Sequence, residues 1–190
     1  MSRANVVGVD LGATNITTGR IEEGSIAHYF QKPVTTDAEE EVIIEEIISA
    51  IREVITDSTE GVGIGVPSLV DVREGIVFDV QNIPSWKEVY LKQKLEKKFN
   101  LPVYINNDAN CFAIGEKYFG KGKEFSDLAG VTLGSGLGAG LVIDNKLYTG
   151  KNCGAGEFGS LPYKEGIVEQ YCSGQFFPAY GGCSGLHCYI

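Results

Sequence analysis

The chain has 190 residues and carries 16 Lys and Arg against 25 Asp and Glu, a formal charge of −9, which argues against the basic surface of a nucleic-acid binder. Its 43% hydrophobic and 22% charged residues are the balance of a chain that buries a core, not of a disordered one. At about 150 residues per domain, the length falls between one large domain and two small ones.

No stretch approaches the ~18 apolar residues of a membrane span, and Val6-Val-Gly-Val9 ahead of Asp10 is too short for a signal peptide. The expected location is therefore the cytoplasm, with no membrane or nucleic-acid partner. Cys111, Cys153, Cys172, Cys183 and Cys188 form no C-x-x-C pair, and His187-Cys188 alone supplies too few ligands for a tetrahedral metal site. They read as reduced, mostly buried thiols.

In chain order, Asn5–Asp10 reads as a strand, Gly12–Asn15 as a turn and Ile16–Ile21 as a second strand, with a third over Ser25–Phe30. Thr36–Thr56 carries a helical stripe of Ile44, Ile47, Ile48, Ile51 and Ile55, and Thr36 with Glu39 fits a capping box. Val62–Val66, closed by Pro67, suggests a buried strand. Lys87–Phe99 reads as a helix on Leu91, Leu95 and Phe99; its Lys92, Lys94, Lys97 and Lys98 read as a solvated face. A strand at Val103–Ile105, a helix at Asp108–Phe119 and a strand at Leu128–Leu133 follow. Then come the glycine-rich Gly134–Gly140 and a hairpin through Asp144-Asn145. Alternating strands and helices over the first 120 residues mark an α/β domain. The expected division is 1–122 and 123–190.

Four segments carry candidate chemistry. Asp10-Leu-Gly-Ala-Thr-Asn15 ends a strand in a carboxylate and continues into a small-residue turn. Backbone N–H groups there suit an anion and the carboxylate suits hydrated magnesium; the alternative is a plain hairpin turn. Thr132-Leu-Gly-Ser-Gly-Leu-Gly-Ala-Gly140 contains a G-x-G-x-x-A match, but a dinucleotide site needs a helix after the turn. The following residues read as strand, turn and strand, so a second phosphate-clamping hairpin fits better. No Walker pattern occurs. Asn106-Asn107-Asp108-Ala-Asn110 follows a strand and opens a helix, where α/β sites gather, although Asp108 also suits a helix N-terminus. Gly154-Ala-Gly-Glu-Phe-Gly159 sets a carboxylate among small residues, suited to vicinal hydroxyls or, alternatively, to a flexible loop.

In this order and spacing, the segments resemble the ROK family of bacterial sugar kinases and related repressors, of the actin and hexokinase superfamily. Asp10–Asn15 is similar to its first phosphate motif, Gly65-Val-Pro-Ser-Leu-Val-Asp71 to its G-x-P-G-x-V-D segment and Gln81-Asn-Ile-Pro-Ser-Trp86 to its N-[LI]-P-x-W segment. Asn107–Asn110 resembles its N-D-A-N motif, Thr132–Gly140 its second phosphate loop and Gly154–Gly159 its G-A-G-E-x-G. The resemblance implies an α/β, actin-like ATPase (ribonuclease H-like) fold with a complete N-terminal and a partial second domain. It also implies ATP-dependent phosphorylation of a hexose or amino-hexose, ATP and Mg2+ as cofactors, and a homodimer at full length. By the same resemblance, Asp108 is the general base, and Ser68, Asn82, Asn107, Glu157 and Glu169 contact the sugar. Asp10, Gly12, Thr14, Asn15, Thr132, Gly134, Ser135 and Gly136 surround the phosphates, with Asp10 facing magnesium through water.

Several positions depart from the family pattern. Ala13 and Ser68 stand where glycine is usual, and Ser160 where histidine is usual. The expected cysteine-rich zinc motif is missing because Leu161–Val168 leads directly to Glu169, so no zinc site is expected. The motif match fades after Phe177, and Ala179–Ile190 has the composition of a frameshifted tail, implying a C-terminally truncated chain. Only nine residues precede Asp10, too few for the winged helix-turn-helix of the family's repressors. The leading expectation is a glucokinase-like enzyme. The alternatives are a sugar-sensing repressor-like protein and an inactive sugar-binding remnant.

Overall fold

A computed structural model describes residues 4–80, 82–151 and 153–176. The chain divides into two compact units, Met1–Asp108 and Ala109–Ile190, whereas the sequence suggested a boundary at residue 122. The tail over 179–190 lies outside the described residues.

Unit 1 is built on a five-stranded sheet. Strands β1 (Val6–Leu11), β2 (Asn15–Glu22) and β3 (Ser25–Pro33) form an antiparallel meander, and β4 (Gly61–Val66) adds in parallel to the other side of β1. Helix α1 (Glu40–Arg52) lies between β3 and β4 in sequence and buries Ile43, Ile44, Ile47, Ile48 and Ile51. A small antiparallel sheet of β5 (Leu69–Asp71), β6 (Ile76–Phe78) and β7 (Glu88–Val89) follows. Helix α2 (Leu91–Phe99) then leads to β8 (Val103–Asn107), which pairs in parallel with β4. The order across the large sheet is β3-β2-β1-β4-β8. The core joins the apolar side chains of β1, β4 and β8 to the isoleucines of α1, to Leu91 and Leu95 of α2, and to the fully buried Trp86.

Three expectations are corrected here. The Thr36 capping box does not form: Ala38 N–H bonds the Thr35 carbonyl in a turn, and the helix starts later, with Glu39 at its N-cap and no side-chain cap. Thr35 instead donates its N–H and hydroxyl to the Glu46 carboxylate at 3.0 and 2.7 Å. The helix expected from Lys87 begins at Leu91, because Glu88 and Val89 pair with β6 as a strand. The lysines of α2 are not merely a solvated face, since Lys94 pairs with Glu40 and Glu41 and Lys98 with Glu45 of α1. Exposed pairs of this kind contribute at most about 1 kcal/mol each.

Unit 2 opens with α3 (Asp108–Tyr118), whose first residue closes unit 1. Strands β9 (Leu128–Leu133), β10 (Leu137–Ile143) and β11 (Lys146–Tyr148) form an antiparallel sheet in the order β11-β10-β9. Glycines explain why α3 belongs with this sheet. A methyl group at Gly140 would sit 2.7 Å from the Ala109 carbonyl oxygen, and one at Gly130 would sit 2.9 Å from the Ala113 Cα. Only a bare backbone admits the helix so closely. The buried Lys117 ammonium donates to the carbonyls of Phe125 (2.7 Å) and Lys123 (3.2 Å), fastening the segment between α3 and β9. On the far face of the sheet, Val131 and Leu133 are exposed.

Beyond β11 come a 3-10 turn at Phe158–Ser160, a hairpin of β12 (Pro162–Tyr163) and β13 (Gly166–Ile167), and the short α4 (Val168–Cys172). No helix among the described residues is long and apolar enough to cross a membrane.

Candidate active site

The parallel pairing in unit 1 fixes where its polar residues fall. Asp10 lies opposite Gly65, Gly65 opposite Asn106, and Val66 opposite Asn107. The C-terminal ends of β1, β4 and β8 therefore present Asp10, the Pro67-Ser68 turn and Asn106–Asp108 along one edge. Ligands of open α/β sheets bind at such an edge.

Directly beyond β1, the turn to β2 is closed by Gly12 N–H to the Asn15 carbonyl at 2.9 Å, and Asn15 Nδ2 donates to Thr14 Oγ1 at 2.8 Å. Among the described residues, the amides of Ala13 and Thr14 at its tip meet no acceptor, so they remain available to an anion. Asp10 is open to solvent on one side, yet the strands around it desolvate its carboxyl and push its pKa above the ordinary carboxylate range. A single carboxylate of this kind suits magnesium that keeps several waters and phosphate oxygens.

A raised pKa makes the ionised Asp10 a liability to the unliganded fold. Its contribution is fully favourable below the unfolded value, about 3.9, and is lost as pH rises through the higher folded value. Asp10→Asn is thus expected to melt at a higher temperature than the parent at pH 7, with the difference vanishing near pH 3. Differential scanning calorimetry across that range checks this; a lower melting temperature at pH 7 would contradict it.

The remaining unit 1 candidates are tied together unevenly. Asn107 Nδ2 donates to the Ser68 carbonyl at 3.3 Å, and the Ser68 hydroxyl donates to the Phe78 carbonyl. The Asn107 amide is fixed by Asn106 Oδ1 at 2.9 Å. Asp108 follows in the first turn of α3 and is partly buried. Asn82 stands on an exposed turn anchored by buried Ile83 and Trp86, through Trp86 N–H to the Ile83 carbonyl at 2.9 Å. No hydrogen bond among the described residues joins Asn82 to the strand-end group.

Unit 2 gathers the others around the β9–β10 turn. Thr132 Oγ1 makes a long contact of 3.4 Å to the Gly138 carbonyl, and Gly134 N–H closes the turn on the Gly136 carbonyl at 3.0 Å. A strand, not a helix, follows the turn, as expected against the dinucleotide reading. Gly156, at φ +95°, lets the Gly154–Gly159 loop cross the Ala139 carbonyl and leaves Glu157 exposed. A methyl group at Gly159 would lie 2.6 Å from the Leu137 carbonyl oxygen and 3.4 Å from the Glu169 Cβ. The Glu157 loop and Glu169 are therefore neighbours.

Glu169 has a function that the sequence did not reveal. Its Oε2 accepts from Leu137 N–H at 2.8 Å and its Oε1 from Gln175 Nε2 at 2.8 Å. The β12–β13 hairpin occupies the stretch where the cysteine-rich segment was expected. It holds α4 by a Tyr163–Tyr171 edge contact of 5.3 Å with the Lys164 ammonium over both rings. Among the described residues no His, Cys, Asp and Glu side chains cluster as a metal site.

Residues 6–189 match the ROK family. The chain belongs to the ROK family. The match runs on past residue 177, where the motif resemblance fades. The chain is 38% identical over 167 residues to a glucokinase of Thermotoga maritima, covering 85% of this chain and 51% of that protein. It is 35% identical over 164 residues to a xylose repressor of Caldicellulosiruptor bescii, covering 82% and 40%. Among solved structures, it resembles a ROK glucokinase from Streptomyces griseus in complex with glucose and AMPPNP, with a TM-score of 0.83 and 36% identity over 93% of this chain and 60% of that one. The fold is accordingly that of ROK kinases, and the chain spans about half the length of the curated relatives it matches.

Proposed function

We propose that this ROK chain carries the sugar- and phosphate-binding part of an ATP-dependent hexose kinase, glucokinase-like, with Asp108 as general base. The observation that carries the reading is the alignment of Asp10, Ser68, Asn107 and Asp108 along the C-terminal ends of three neighbouring parallel strands. The glucose and AMPPNP in the Streptomyces griseus relative support a hexose and ATP as the substrates.

In this reading the Ala13 and Thr14 amides and those of Ser135 and Gly136 bind the polyphosphate, while Asn82, Asn107, Glu157 and Glu169 orient the sugar. Its hydroxyl oxygen attacks the terminal phosphorus, its proton passes to the Asp108 carboxylate, and ADP departs. The protein's work is positioning and charge stabilisation, because phosphoryl transfer needs little covalent help. Magnesium beside Asp10 would neutralise phosphate charge. A cytoplasmic location and a homodimer of the full-length protein accompany this reading.

The repressor relative supports a second reading, sugar sensing without transfer. A coupled ADP-release assay over a panel of hexoses and amino-hexoses separates the two. Sugar-dependent ADP release supports the kinase; sugar-induced thermal stabilisation without turnover supports the sensor.

A further inference from the structure

The β9–β10 turn is made of small residues, and glycine at 134 and 136 leaves its backbone many conformations. Three bonds from one later segment restrict it. Gly174 N–H donates to the Gly134 carbonyl at 2.8 Å, the Ser173 hydroxyl to the Ser135 carbonyl at 3.3 Å, and Leu137 N–H to Glu169 Oε2 at 2.8 Å. The segment is itself closed: Gln175 donates its N–H to Ser173 Oγ at 3.2 Å and its side-chain amide to Glu169 Oε1 at 2.8 Å. Ser173 is nearly fully buried. A methyl group at Gly136 would sit 2.5 Å from Glu169 Oε2, so a side chain there would displace the carboxylate from its present position.

Peptide planarity converts these bonds into a direction. In a trans peptide the C=O and the following N–H point to opposite sides. Turning the Gly134 carbonyl to Gly174 aims the Ser135 N–H away from that segment, and turning the Ser135 carbonyl to Ser173 does the same for the Gly136 N–H. These two successive amides meet no acceptor among the described residues. Successive outward N–H groups form an anion-binding concavity.

We infer that Ser173 and Gln175 are positioning residues: with Gly174 and Glu169 they form a bracket that holds the β9–β10 turn with its Ser135 and Gly136 amides aimed at the polyphosphate. The anion's identity rests on the proposed kinase reading; the bracket itself does not. The test uses the full chain with Ser173→Ala and Gln175→Leu, neither of which touches the proposed substrates. Hydrogen exchange of the bonded Gly134 and Leu137 amides without ligand should speed up about fivefold in each, the loss of one hydrogen bond, with β1 and β4 unchanged. Binding of inorganic tripolyphosphate should weaken by a similar factor. In the sugar assay of Ser173→Ala, KM for ATP should rise while KM for the sugar stays within about twofold, as for a loss confined to nucleotide binding; Gln175→Leu also frees Glu169 Oε1 and is read by exchange and tripolyphosphate binding alone. Unchanged exchange at Gly134 and Leu137 in both variants overturns the bracket, as does faster exchange with undiminished tripolyphosphate binding. A parent chain that binds no tripolyphosphate overturns the kinase reading instead, and the exchange result then decides the bracket alone.

Discussion

Asp108→Asn should lower sugar phosphorylation about 10²–10⁴-fold, the usual contribution of a positioned general base. That equals roughly 2.7–5.4 kcal/mol of transition-state stabilisation. The substitution keeps the side chain's size and one acceptor oxygen, exchanges the other for an NH2 donor, and removes its ability to take a proton. Asp108 follows β8, whose register against β4 sets the strand end, and opens α3. The loss of a negative charge in a helix's first turn costs only about 0.3–1 kcal/mol, so the variant should remain folded. Steady-state kinetics should show the loss in kcat, with KM for sugar and nucleotide nearly unchanged. A kcat within tenfold of the parent would remove Asp108 from the chemistry.

Gly156→Ala should destabilise unit 2 by at least about 3 kcal/mol, from two effects that compound. At φ +95° any L side chain is strained, and the new methyl would lie 2.1 Å from the Ala139 carbonyl oxygen, a backbone atom that cannot rotate aside. Either the loop carrying Glu157 lifts away or β10 shifts. Gly154→Ala is the matched control, since its added carbon meets nothing within 4 Å and should change stability by less than about 0.5 kcal/mol. The single tryptophan, Trp86, lies in unit 1 and is blind to this change. Hydrogen-exchange protection of β10 is the suitable readout. Equal protection in the two variants would refute the argument.

What the sequence made legible was mostly local. The Asp10–Asn15 hairpin, the strand-to-helix step at Asn106–Asp108 and the strand after the second glycine turn all follow from turn chemistry and periodicity within a few residues. Failures occurred where distant partners decide. Glu88 and Val89 have neighbours that favour helix, yet pairing with β6 draws them into a strand. The close approach of α3 to β9 and β10 depends on Gly130 and Gly140, a steric fact that no periodicity carries. Thr36 does not cap because the helix begins only after Glu39, and it is Thr35 that bonds a distant carboxylate, Glu46 eleven residues later. Glu169 was expected only as a sugar ligand; its bond to Leu137 spans 32 residues, and neither that contact nor the two-residue strands of the β12–β13 hairpin follow from periodicity.

The most direct test of the central claim is a crystal structure of the chain with glucose and AMPPNP. The account predicts a glucose hydroxyl within about 2.6–3.2 Å of the Asp108 carboxylate, and phosphate oxygens on the amides of Ala13, Thr14, Ser135 and Gly136. A sugar bound away from Asp108, or a polyphosphate touching neither glycine turn, would contradict it.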